Sequence, residues 1–139
     1  GNYFELPPSR CWFVWNKPER NFTLAEAELA WTNRDNVVRV IDAPRSEPDR
    51  FHPTQKPLAV MAFSVSKTKG HVCDPFMGSG TTGVACVKLG RKFTGIELHE
   101  PYFEAACERI RKAYQQPDMF VEAAKPVHQQ TSMFSEDAA

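Results

Sequence analysis

Two periods of hydrophobic and polar residues run along this chain, one on each side of a polar stretch near its middle. "CWFVWNK" (11–17) is an aromatic and β-branched run bounded by prolines and reads as a buried strand. In "AEAELAWTN" (25–33), Ala27, Leu29 and Trp31 alternate with Glu26, Glu28 and Ala30. Helix and strand compete there, and the period of two favours a strand. "NVVRVID" (36–42) predicts a third strand. These first strands suggest an antiparallel arrangement. Residues 43–57, rich in Pro, Arg, Asp and Glu, read as a loop.

Beyond that loop the period lengthens. Pro57 suits a first helical position, Leu58, Met61, Ala62 and Val65 share one helical face, and Gly70 is a stop. "HVCDPF" (71–76) predicts a short strand ending in a turn, and "TTGVACVKLG" (81–90) a helix stopped by Gly90. "KFTGIEL" (92–98) predicts another strand, and "EPYFEAACERIRKAY" (100–114) an amphipathic helix opened by Pro101. Its apolar stripe is Phe103, Cys107, Ile110 and Tyr114, with Glu108 and Lys112 placed as a favourable pair. Helix–strand–helix–strand–helix is the rhythm of a parallel sheet with covering helices. Residues 116–139, rich in Pro, Gln and Ala, are expected to form a flexible tail behind a domain over 1–115.

Composition adds limits. A chain of 139 residues suits one domain. Lys plus Arg and Asp plus Glu number 17 each, so net charge points neither to nucleic acid nor to a membrane, although a basic groove fits within a neutral total. Cys11, Cys73, Cys86 and Cys107 are scattered in apolar runs, with no C-x-x-C pair or Cys/His cluster to suggest a metal site. They read as buried, reduced thiols of a cytosolic protein. No apolar run spans a bilayer and no signal peptide is visible. The chain opens Gly1-Asn2-Tyr3 and enters a strand-like run almost at once, which reads as a fragment whose first element lies upstream.

The chemistry concentrates in "HVCDPFMGSGTTGVAC" (71–86). Gly78, Gly80 and Gly83 have the G-x-G-x-x-G spacing that lets backbone approach a ligand before a helix N-terminus. Glu97, at the end of the next strand, stands where an acid accepts hydrogen bonds from ribose hydroxyls. Loop plus acid argues for an adenosine-containing cofactor. No Gly-Lys-Ser/Thr closes the loop, which excludes a Walker A site. Two features separate S-adenosylmethionine from NAD. Asp74 faces a pyrophosphate unfavourably but suits a ligand with an ammonium, a sulfonium and no phosphate. "HPTQKP" (52–57) offers the Thr54 hydroxyl and the Lys56 cation to a carboxylate.

With "HPTQKP", "DPFMGSGTT" and "GIELHEPYFEAACERI" in this order, the sequence resembles the C-terminal half of amino-group DNA methyltransferases. The likeness is to the class whose catalytic region precedes the cofactor loop, and to short bacterial and phage adenine methyltransferases in particular. It covers roughly residues 1 to 115 and includes "GNYFELPPSRCWFVWNKPERNFTLAEAELAWTN". The resemblance implies an α/β, Rossmann-like S-adenosylmethionine-dependent methyltransferase sheet with an antiparallel edge hairpin at 11–17 and 25–33, N-terminally incomplete. It implies that Asp74, Phe76, Gly78, Ser79, Gly80, Thr81 and Thr82 form the methionine-side pocket. Glu97 would take the ribose hydroxyls, Leu98 would touch the adenine, and Thr54, Gln55 and Lys56 would lie near the methionine carboxylate. Such proteins act on duplex DNA at adenine N6 or cytosine N4. They are cytoplasmic, of bacterial or phage origin, and occur in restriction–modification.

One departure matters. The family's Asp/Asn-Pro-Pro-Tyr/Phe/Trp tetrapeptide is not in this sequence, and "LPPS" (6–9) lacks both the acid and the aromatic. The expectation is therefore a cofactor-binding half that does not methylate DNA alone, with no catalytic residue of its own. A catalytically silent S-adenosylmethionine-binding module is a second reading. An NAD-dependent oxidoreductase is a third, disfavoured by Asp74 and by "HPTQKP". Trp12, Trp15 and Trp31 read as core before base-stacking, and His52 as a loop histidine. Arg34, Arg39, Arg45 and Arg50 divide evenly between phosphate contacts and a solvated face. "QTSMF", Gln130 to Phe134, resembles peptides that dock into bacterial sliding clamps.

Overall fold

The computed structural model describes residues 5–20, 23–45 and 54–116. His52, Arg50 and the Gln130–Phe134 peptide lie outside them, as does almost all of the expected tail. The element order is β1 (Trp12–Asn16), β2 (Ala27–Trp31), β3 (Arg39–Asp42), α1 (Leu58–Ser66), β4 (Val72–Asp74), α2 (Thr81–Lys88), β5 (Phe93–Gly95) and α3 (Glu100–Gln115). Every element expected from the periodicity is present.

The described strands form two sheets. In the first, of order β2-β1-β3, β1 pairs antiparallel with β2, the predicted hairpin, and parallel with β3. The first half is thus mixed, where antiparallel strands alone were expected. The second sheet is the parallel pair β4-β5, extended past its strand ends by bonds from Val72 N to Lys92 O (2.9 Å) and Ile96 N to Asp74 O (2.9 Å).

The buried face of β1 carries Phe13 and Trp15. The register sets Glu28 opposite Trp15, so cross-strand geometry turns Glu28, not Leu29, towards that face. Alternation identified the strand but not its inner face: Leu29 is exposed. Of the tryptophans, Trp15 is core, its indole N–H donating to Ala43 O (2.8 Å), while Trp12 and Trp31 are half-buried.

α1 joins the two sheets. Val60 packs with Trp15 and Ala43 on one side. Val65, supported by Leu58, Met61 and Ala62, packs with Ala85 and Cys86 of α2 on the other. That second group is the face read from the sequence. α3 departs from its reading: only Ala106 is fully buried, against α2, while Phe103 and Tyr114 at the ends of the expected stripe are exposed. Its Glu108–Lys112 pair forms, at 2.8 Å. All four cysteines are free; Cys11 and Cys86 are buried, but Cys107 is half-buried and Cys73, which the strand's alternation turns to the face opposite Val72 and Asp74, is exposed. No helix among the described residues is long and apolar enough to cross a membrane.

Candidate functional site

Between β4 and α2 the chain makes a tight turn, closed by a hydrogen bond from Gly80 N to Met77 O (2.8 Å) and tied to the second sheet by Met77 N to Ile96 O (3.0 Å). Gly80 is the N-cap of α2 at φ 77°. A Cβ there would stand 2.7 Å from the Ala106 Cβ on α3, so both backbone conformation and space require glycine. At Gly78, φ 51° imposes the same conformation with open space beyond it.

Two carboxylates brace this loop. Asp74 Oδ1 accepts from Phe76 N (3.0 Å) and Oδ2 from the Thr82 hydroxyl (2.6 Å), tying the end of β4 to the first turn of α2. Glu97 accepts from His99 N through Oε1 (2.8 Å) and from Gly78 N through Oε2 (2.9 Å). The His99 amide, and then that of Gly78, outweigh the opposing effect of burial and hold the Glu97 carboxyl below the usual carboxylate range. It is therefore ionised at neutral pH.

The 54–57 segment closes the third side. The Ser79 hydroxyl donates to Gln55 Oε1 (2.9 Å), and Pro57 opens α1 directly behind. From beneath, Arg109 of α3 donates to Ser79 O, to the Ser79 hydroxyl (2.9 Å) and to the Thr81 hydroxyl (3.3 Å). The result is a cavity of about 360 Å3, lined by Thr54, Gln55, Lys56, Met61, Asp74, Phe76, Met77, Gly78, Ser79, Thr81, Thr82 and Glu97. That volume is enough for a nucleoside-sized ligand.

Every residue the sequence proposed for the cofactor lines this cavity, except Gly80 and Leu98. Gly80 is under the loop against α3, and Leu98 is fully exposed. Met61 and Met77 line it too. Met61 was read as helix core, and Met77 carried no signal apart from its place in the loop. Arg109 is another addition. Its only sequence cue is its place three residues after Ala106, on the helix face that meets the loop. The described arginines read from the sequence donate to acceptors within the chain: Arg34 to Lys67 O, Arg39 to Asn36 Oδ1 (3.4 Å) and Arg45 to Ala25 O (3.0 Å).

Chemically the cavity is mixed. Asp74 and Glu97 supply negative charge, Thr81, Thr82 and Ser79 hydroxyls, and Lys56 the one cation of its lining among the described residues. A cationic ligand group is favoured beside Asp74, hydroxyls beside Glu97, and an anionic group near Lys56. A pyrophosphate would face both carboxylates. Among the described residues the lining holds no Ser/His or Cys/His pair for covalent catalysis.

The chain is similar to known proteins. A type II methyltransferase of Lactococcus lactis subsp. cremoris, M2.LlaDCHI, is 45% identical over 64 residues, covering 44% of this chain and 24% of that protein. M2.DpnII of Streptococcus pneumoniae is 44% identical over 62 residues, covering 42% and 23%. The chain thus spans about a quarter of the length of these curated relatives. Among solved structures, the M1.HpyAVI–SAM complex is 33% identical with a TM-score of 0.58, covering 71% of this chain and 60% of that one. A Thermus thermophilus protein solved with S-adenosyl-L-methionine, 20% identical with a TM-score of 0.52, covers 74% of this chain and 53% of its own, a likeness of fold. The DNA methylase family model of N6/N4 methyltransferases matches residues 7–108, which take in both sheets, the glycine loop and most of α3. With its loop, its carboxylates and the 54–57 segment gathered at one cavity, this chain belongs to the N6/N4 DNA methylase family.

Proposed function

We propose that the cavity binds S-adenosylmethionine and that the chain forms the cofactor side of an amino-group DNA methyltransferase acting on adenine N6, or cytosine N4, in duplex DNA. The observation that carries this reading is the meeting of the 54–56 segment with a glycine loop braced by two carboxylates. The residues fit the cofactor by charge. Asp74 lies beside the position suited to an ammonium, Lys56 can face a carboxylate, and Glu97 keeps lone pairs for ribose hydroxyls beyond its two backbone bonds. Phe76, 87% exposed at the rim, offers a ring to a planar group.

When bound, the cofactor supplies a methyl group on a sulfonium. The protein's part is to fix its position for an incoming amino nitrogen, an effect of orientation rather than acid–base chemistry. The target base must leave the duplex to reach such a cavity. The structure's likeness to the M1.HpyAVI–SAM complex supports the cofactor assignment, and the family match supports DNA as substrate.

The missing Asp/Asn-Pro-Pro-aromatic tetrapeptide favours a second reading for the isolated chain, a cofactor-binding module without transfer activity. Calorimetry with S-adenosylhomocysteine and with NAD tests the first reading: binding of the former alone is expected, and binding of NAD alone would refute it. Incubation of the 139-residue chain with tritiated S-adenosylmethionine and unmethylated duplex tests the second. No label in DNA is expected, and label transfer would end that reading.

A further inference from the structure

Lys56 does not project freely into the cavity it lines. Its ammonium is 3.1 Å from Glu28 Oε2, near the start of β2. The other oxygen of Glu28 is 2.7 Å from the ammonium of Lys17, whose side chain is only 7% exposed. Lys17 is itself fixed over the Trp15 ring, 4.7 Å from its centroid, and Trp15 is buried and bonded to Ala43 O. A continuous chain of contacts therefore runs from the core of the first sheet, through Glu28, to the cation of the cavity's lining. The neighbouring Gln55 is held from the opposite side by Ser79 of the glycine loop. Lys56 stands between two cavities: it lines the cofactor cavity and also borders a second, apolar one of about 500 Å3 that Glu28 and Trp15 line as well, with its ammonium 6.0 Å from the Trp15 ring centroid.

We infer that Glu28 is a positioning residue of the cofactor pocket, holding the Lys56 ammonium where it meets the carboxylate of the bound ligand. This rests on the S-adenosylmethionine reading above and goes further, because it assigns the placement of the ligand's anionic end to a residue on a different sheet. Two ammoniums and one carboxylate leave this trio with a net charge of +1. Removing the negative charge raises it to +2. If bulk charge governed the site, a neutral residue at position 28 would tighten binding of a carboxylate. If placement governs it, binding weakens.

The test compares two ligands in the full chain. S-adenosylhomocysteine carries the amino-acid carboxylate, and 5′-methylthioadenosine shares the nucleoside but lacks it. Glu28→Gln is expected to weaken the first by about tenfold, the size of one charge-assisted hydrogen bond, and leave the second unchanged. Unchanged or tighter binding of S-adenosylhomocysteine overturns the inference, as does an equal loss for both ligands. Glu28→Asp keeps the charge of the trio but draws it back by one methylene. It serves if the glutamine variant fails to fold, with the same selective loss expected and full recovery of parent affinity counting against the inference. Parent protein that binds neither ligand overturns the pocket reading itself, and this inference with it.

Discussion

Single residues in the glycine loop carry more than one duty, and their variants separate these. Gly80→Ala must place a side chain at φ 77° and 2.7 Å from the Ala106 Cβ. Overpacking costs about 1–3 kcal/mol, and the left-handed backbone about 1–2 more. Urea denaturation should show a loss in that range, with the m-value unchanged. Thr82→Val removes the hydroxyl that bonds Asp74 while keeping the volume, and should cost about 1.5–3 kcal/mol, the scale for a bond to a charged group, with Thr82→Ser close to the parent. Glu97 gives a pH signature. Its folded carboxyl lies below its usual range, so what it adds to stability is complete above about pH 4.3 and is lost as pH falls through the lower, folded value. The gap in stability between parent and Glu97→Gln should be constant from about pH 5 to 7 and close only below about pH 4.

Whole elements were legible where one strong pattern governed them. The β1–β2 hairpin, α1 with its Leu58, Met61, Ala62 and Val65 face, and the strand–loop–helix at Asp74 to Thr81 follow from spacing and from proline and glycine positions. The inner face of β2 was not legible. Alternation gives two faces, and the choice is made by register against β1, which sets Glu28 beside Trp15. The stripe on α3 held at its middle, where Cys107 is half-buried and Ile110 packs on Gly83 of α2, and failed at its two ends. α3 packs on α2 through the small Ala106, which lets the helices approach closely and leaves Phe103 and Tyr114 outside the contact. α1 makes a testable case at this scale. Val60 and Val65 belong to separate clusters, so Val60→Ala and Val65→Ala should each cost roughly 2 kcal/mol, and the double variant their sum within about 0.5 kcal/mol.

At the scale of the molecule, the candidate site is assembled from three stretches far apart in sequence: residues 54–57, the loop from Asp74 to Thr82, and Glu97. Local motifs named them because each carries residue types tied to a ligand's chemistry. What joins them was hidden. Arg109 under the loop and Glu28 behind Lys56 are long-range partners, and nothing in the spacing of a single sequence announces a contact 28 or 30 residues away. S-adenosylmethionine is proposed to bind in this assembled cavity. Amide chemical shifts of the chain titrated with S-adenosylhomocysteine test this proposal most directly. Saturable shifts are expected at Gly78, Ser79, Thr81 and Lys56, with the exposed outer face around Leu29 unmoved. Shifts confined to the hairpin, or none at the glycine loop at saturation, would contradict it.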